Sequence, residues 1–198
     1  MLKAFITIWI TLLWVASGAI NQTDAEEIRQ LLESRDQEVK ELLGPAGSEY
    51  TQAQRDQLKD IINDVIDYRS MAMHALGRTY NEISDEEREE FVSLFSTIIR
   101  DNSLNSLDIY RADVTYTDIV VDGDEAKVYT LAQLDDVRTS VDYDLRLIEG
   151  EWMITDMTID SVSTAESYNR QFQSIIRQRG FDALLQSLQR RAARASSQ

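Results

Sequence analysis

At about residue 112 of this chain the spacing of apolar side chains changes from every third or fourth position to every second, and near residue 163 it changes back. A helix repeats its faces every 3.6 residues and a strand every 2, so the switch fixes the order of elements. Val114, Tyr116 and, less regularly, Ile119 to Val121 make a first strand. Asp122-Gly123-Asp124 turns the chain, and Ala126, Val128, Thr130, Ala132 and Leu134 alternate on the way back. Val141, Tyr143, Leu145 and Leu147 alternate with Asp142, Asp144 and Arg146 in a third strand. Glu149-Gly150-Glu151 leads into a fourth, where Trp152, Ile154, Met157 and Ile159 run toward an acidic, serine-bearing corner. Consecutive strands on short turns form an antiparallel meander, with one face for a core and one that tolerates water.

Helical periods flank this sheet. Ile28, Leu31, Leu32, Val39, Leu42 and Leu43 form one stripe from Asp24 to Leu43, stopped by Gly44-Pro45-Ala46-Gly47. A second helix is predicted from Thr51 to Gly77, with Leu58, Ile61, Ile62, Val65 and Ile66 continued by Met71, Ala72 and Leu76. Ser84-Asp85-Glu86-Glu87 is a capping box opening a third, which carries Phe91, Leu94, Phe95, Ile98 and Ile99 and continues toward Tyr110. After Ser163 come Tyr168, Phe172, Ile175 and Ile176, then, past Gly180, Phe181, Leu184, Leu185 and Leu188, with AARASSQ expected to fray. Helices, sheet, helices, with no internal repeat or linker, predict one α+β domain over residues 20–198. A four-stranded, curved antiparallel sheet packed against helices in the NTF2-like manner would enclose an apolar cavity.

Residues 1–19, MLKAFITIWITLLWVASGA, read as an address. One lysine precedes an apolar run from Ala4 to Ala16, shorter than the roughly 20 residues a spanning helix needs, and Ser17-Gly18-Ala19 offers small residues for a peptidase. A secretory signal cleaved near Ala19 is predicted, with an exported, soluble product. No cysteine occurs anywhere, which removes lipoprotein anchoring, disulfides, thiol catalysis and thiolate metal sites. Lys and Arg number 20 against 35 Asp and Glu, a net charge of -15, which argues against a general binder of nucleic acid. The end of the chain differs: from Arg170 onward there are six arginines and one acid, Asp182, so a basic terminal helix faces either solvent or an anionic partner.

The corner itself, EWMITDMTIDSVS at 151–163, holds the best catalytic candidates. Asp156 and Asp160 are four apart, hence on one face of a strand, and a carboxylate pair there is geometrically allowed. Both alternate against Met157 and Ile159, however, which any strand with one wet face does. Ser163 has no histidine nearby and heads a Ser-x-x-Glu capping box ending at Glu166. The lone histidine, His74, sits at helical spacing between Met73 and Leu76 and cannot build a multi-histidine zinc site. No phosphate loop, nucleophile elbow, zinc helix or calcium loop is present, and the acidic turns Asp122-x-Asp124 and Asp135-Asp136 read as solvated.

Four stretches resemble the MlaC family, the toluene-tolerance or Ttg2-like component of a lipid ABC transport system. They are YRSMAMHALGRTYNEISDEEREEFVSLFSTII, VDYDLRL at 141–147, GEWMITDMTIDSVS, and YNRQFQSIIRQRGFDALLQSL at 168–188. The first holds Leu76, Gly77, Tyr80, Ser84, Phe91 and Phe95; the third carries a Gly-x-Trp-x-x-x-Asp signature followed by Val-Ser. They occur in the family's order and span roughly residues 24 to 190. The resemblance implies a monomeric periplasmic carrier, without enzymatic activity or cofactor, that buries acyl chains and keeps the head group at the mouth. It further implies shuttling of phospholipid between outer- and inner-membrane complexes, one of them the lipid ABC transporter, to maintain outer-membrane asymmetry. Direction of transport and the cargo's identity (phospholipid, hopanoid-like lipid or another hydrophobe) stay open.

From the apolar faces, lipid-contacting positions are expected at Leu76, Phe91, Leu94, Phe95, Tyr143, Leu145, Leu147, Trp152, Ile154 and Met157. Two other readings compete. One is an NTF2-like enzyme on an apolar small molecule, with Asp156 or Asp160 as general base inside a cavity. The other is an interaction domain with a solid core, which a continuous apolar cavity would contradict.

Overall fold

The computed structural model describes residues 16–104 and 107–195. The chain runs through α1 (Ala16–Leu43), α2 (Gln52–Asn63), α3 (Tyr68–Leu76), the single turn α4 (Thr79–Glu82) and α5 (Asp85–Asn102). A 3-10 turn, Leu107–Arg111, leads to β1 (Asp113–Asp122), β2 (Glu125–Leu134), β3 (Val137–Ile148), β4 (Glu151–Ile159) and β5 (Val162–Ser163). Helices α6 (Thr164–Arg179) and α7 (Phe181–Ala195) follow. The strands form one antiparallel sheet in the order β1-β2-β3-β4-β5, an open meander curved against the helices. The α+β expectation holds, with five strands rather than four.

The fifth strand follows a turn at Asp160 and Ser161, which have φ of 46° and 67°. Positive φ in a two-residue hairpin is ordinarily announced by Gly or Asn, and neither is here. Two bulges bend the sheet: pairing slips between Tyr116 and Asp118 in β1, and in β4 an extra residue, Thr155, falls between partners of Asp144 and Leu145. The first accounts for the irregular alternation before Ile119.

The helix expected from Thr51 to Gly77 is two helices. Val65 and Ile66 fit a helical stripe, but Ile66 forms a parallel bridge with Ile154 instead. Ile154 N–H donates to Val65 O at 2.7 Å and Asp67 N–H to Ile154 O at 2.8 Å. Asp67 then caps α3, accepting from Arg69 N–H and Ser70 N–H. The segment between α2 and α3 thus covers part of the outer edge of β4. Helix α5 opens on the predicted capping box of Ser84 and Glu87 but ends at Asn102 rather than continuing toward Tyr110. Helix α7 runs to Ala195 because its apolar stripe extends to Ala192, which is buried, so the first four residues of the AARASSQ segment are helical. Residues 1–15 of the predicted signal lie outside the described residues, and α1 begins at Ala16, ahead of the expected Asp24. Among the described residues no helix is long and apolar enough to cross a membrane.

Helices α5, α6 and α7 meet in an aromatic seam. Phe91 stacks on Phe95 at 5.7 Å between centroids and meets the edge of Phe172 at 5.6 Å, while Tyr168 packs edge-on against Phe95 at 5.2 Å. Helix α3 is tied to α6 by side chains that accept no substitute easily. Asn169 Nδ2 donates to His74 O and Ala75 O, both at 3.3 Å, and Gln173 Nε2 to Leu76 O at 2.8 Å, satisfying carbonyls at the end of α3. Gly77 follows, with φ 56° and ψ -131°, and a Cβ there would stand 2.9 Å from Asn169 Nδ2. Gly77→Ala is therefore expected to cost about 1–3 kcal/mol in chemical denaturation, from backbone strain and displacement of the Asn169 amide.

Candidate functional site

The buried apolar residues form two clusters. The larger joins the inner face of the sheet to α3, α5, α6 and α7; the smaller consists of Val39, Leu43 and Leu58, with Ile61, Ile62 and Tyr110 packed on it. Between them lies a cavity of about 360 Å³.

Each wall comes from a different element. Helix α1 contributes Leu32 and Val39, α2 contributes Ile61 and Ile62, and the segment after it Val65 and Ile66. The sheet supplies Val114 and Tyr116 from β1, Tyr143 from β3, and Ile154, Met157 and Ile159 from β4. Tyr110, Tyr168, Ile99 and the polar Asn63, Asn102, Ser103 and Thr164 complete the lining. Charge is confined to Arg35 and Asp36 of α1. Arg35 bridges to Asp64 at 2.9 Å and to Glu38 at 3.1 Å, and Asp36 pairs with Lys40 at 2.8 Å. These half-exposed pairs form a charged rim over an apolar interior.

The interior polar groups divide in two. Asn63, 2% exposed, accepts from the Tyr68 hydroxyl and donates to Ser103 Oγ at 3.0 Å, a satisfied network. The hydroxyls of Tyr110, Tyr116 and Tyr143 have no hydrogen-bond partner among the described residues. Burial pushes the pKa of Tyr143 and of Tyr110 up to about 12, and that of Tyr116 higher still. Asp36 adds to the effect at both Tyr116 and Tyr143. All three remain protonated donors at any physiological pH.

Of the ten positions nominated from the sequence, Tyr143, Ile154 and Met157 line the cavity. Leu76, Phe91, Phe95, Leu145 and Trp152 are buried in the larger core, none more than 3% exposed, and Leu94 and Leu147 pack on its outside. The walls from α1 and α2 were not nominated, although Leu32, Val39, Ile61 and Ile62 were visible as helical stripes.

The acidic corner is a helix cap. Asp156 is 7% exposed, correcting the expectation of a wet position; the bulge at Thr155 pairs it with Asp144, away from the cavity face of Tyr143 and Met157, and the first turn of α6 covers it there. Its carboxylate accepts from Met157 N–H at 2.8 Å, from Ala165 N–H at 3.0 Å and from the Ser163 hydroxyl. Ser163 Oγ accepts in turn from Glu166 N–H at 3.0 Å, so both residues serve the first turn of α6. Only half of the expected capping box forms here, since the Glu166 carboxylate reaches Arg170 at 3.4 Å instead. Asp160 is apart from Asp156, in the turn, where its carboxylate accepts from Ser140 N–H at 3.1 Å. Neither acid lines the cavity. Asp156→Ala is expected to cost about 2–3 kcal/mol in urea unfolding, because Ala165 N–H loses a charged acceptor in a buried place.

Fold and cavity define an α+β domain built around an apolar interior space. The family model for MlaC protein matches residues 22–190, and the chain belongs to the MlaC family. Among solved structures it resembles a phospholipid-binding protein from Ralstonia solanacearum, determined in complex with a phospholipid, at 20% identity and a TM-score of 0.69. The match covers 85% of this chain and 96% of that one, and establishes the shared fold. A search of the curated proteins returns no match.

Proposed function

We propose that this protein is an exported, periplasmic carrier that takes up a phospholipid by its acyl chains and shuttles it between outer- and inner-membrane complexes. The observation that carries this reading is the apolar cavity between two separate cores, rimmed by charge on one helix. Membership of the MlaC family and the likeness to a fold that holds a phospholipid in Ralstonia support it. Each methylene withdrawn from water contributes about 0.8 kcal/mol, so two long chains supply more than about 20 kcal/mol in gross transfer terms. Uptake therefore needs no catalytic group and no cofactor. Release is the difficult step, and a membrane-complex partner, such as a lipid ABC transporter, serves it by offering an equally apolar path.

The cavity, about 360 Å³, lies at the small end of the range of roughly 300–1,000 Å³ for ligand sites. A diacyl lipid enters when the wall of α1 and α2 moves outward, and the small core behind that wall (Val39, Leu43, Leu58) is the part that gives way. The test is transfer of a labelled phospholipid from donor to acceptor vesicles by the full chain, expressed for export and purified without detergent. Saturable transfer with one lipid held per protein is expected. A folded protein that neither holds nor moves lipid contradicts the proposal.

A further inference from the structure

The cavity lining combines three kinds of group. The charged side chains Arg35 and Asp36 belong to α1, the hydrocarbon wall of Ile62, Ile154 and Met157 faces them, and tyrosyl hydroxyls lie on the same lining. Tyr116 on β1 stands opposite Thr130 of β2, and Tyr143 on β3 stands opposite Val128 of β2. Thr130 and Val128 are two residues apart, hence on one face, so both tyrosines flank β2 on the cavity side. Asp36 lies close enough to both to disfavour their ionisation. The sheet thus presents two neutral donors, with no partner among the described residues, beside the charged rim.

These hydroxyls open onto the cavity and can donate to a guest there, which phenylalanine in their place could not do. A diacyl lipid carries the matching groups: a charged head group, paired carbonyl acceptors beside it, and hydrocarbon. We infer that the hydroxyls of Tyr116 and Tyr143 form a subsite for the ester carbonyls that join the acyl chains to the lipid's glycerol. The inference rests on the carrier reading and adds a selectivity to it. Acyl esters are preferred over alkyl ethers of the same head group and chain length, because an ether oxygen is a poorer acceptor and lacks the carbonyl's reach.

The experiment equilibrates the full-length exported protein with vesicles holding equal amounts of ester-linked diacyl and ether-linked dialkyl phosphatidylethanolamine. Protein is re-isolated and the two lipids bound to it are counted by mass spectrometry. With two hydrogen bonds at stake, the wild-type protein is expected to enrich the ester about tenfold. Tyr116→Phe with Tyr143→Phe brings the ratio near one, while binding of the ether lipid is kept or improved. Each single variant gives an intermediate ratio and serves should the double variant misfold. Equal binding of the two lipids by the wild type overturns the subsite and leaves the carrier reading standing. So does a double variant that keeps the preference, or one that loses both lipids equally. No lipid of either kind on folded wild-type protein overturns the carrier reading and the subsite with it.

Discussion

Met157→Trp yields a folded protein that carries at least tenfold less lipid than its parent. Met157 lies on β4 opposite Tyr143, and both side chains line the cavity. An indole there grows into open space rather than into packed core, so stability should change by no more than about 1–2 kcal/mol. Lipid binding has no such tolerance, because an acyl chain needs a continuous path through about 360 Å³ that the indole partly fills. Lipid per protein is read by mass spectrometry and folding by thermal melting. A variant with undiminished lipid would place the chains somewhere other than this cavity.

Phe91→Ala has the opposite signature. Phe91 is fully buried and meets Phe95, Phe172 and Phe181 at 5.6 to 6.4 Å between centroids, joining α5 to α6 and α7. Truncating a buried phenylalanine costs about 3–5 kcal/mol through lost transfer energy and the void left behind. That is a large share of the roughly 5–15 kcal/mol by which a domain is stable. The midpoint of urea unfolding should fall accordingly with an unchanged slope. Protein still folded under native conditions should keep its lipid, since Phe91 does not line the cavity. A loss under about 1 kcal/mol would mean that the aromatic seam does not hold the helices together.

The contrast between these variants shows where the sequence was readable. Alternation at Ala126, Val128 and Thr130, and again at Tyr143, Leu145 and Leu147, is local, and so is the Ser84–Glu87 capping box. What depends on distant pairing was hidden. Val65 and Ile66 fit a helix until Ile154 offers them its backbone, and nothing near them records that offer. Asp156 reads as a wet residue opposite Asp144, and nothing near it records that the first turn of α6 comes back to cover it. Asp160-Ser161 turns the chain without glycine, which concealed β5.

The candidate site was legible in its residue types and not in its membership. Phe91, Leu76 and Tyr143 are all apolar or aromatic at core spacing, yet Tyr143 borders open space while the other two are packed on every side. Which apolar face closes on a neighbour and which stands off is set by the separation of the two cores. The small core of Val39, Leu43 and Leu58 is set by α1 and α2, with Tyr110 packed on it, and its separation from the sheet leaves no periodic trace.

The most direct test of the central claim is chemical. The full chain is expressed for export and purified without detergent. It is then extracted with organic solvent, and whatever it held is identified and counted by mass spectrometry. The account predicts a diacyl phospholipid near one per protein, absent from Met157→Trp purified in parallel. A stable, folded protein that yields no lipid would contradict it and leave the cavity without its proposed occupant.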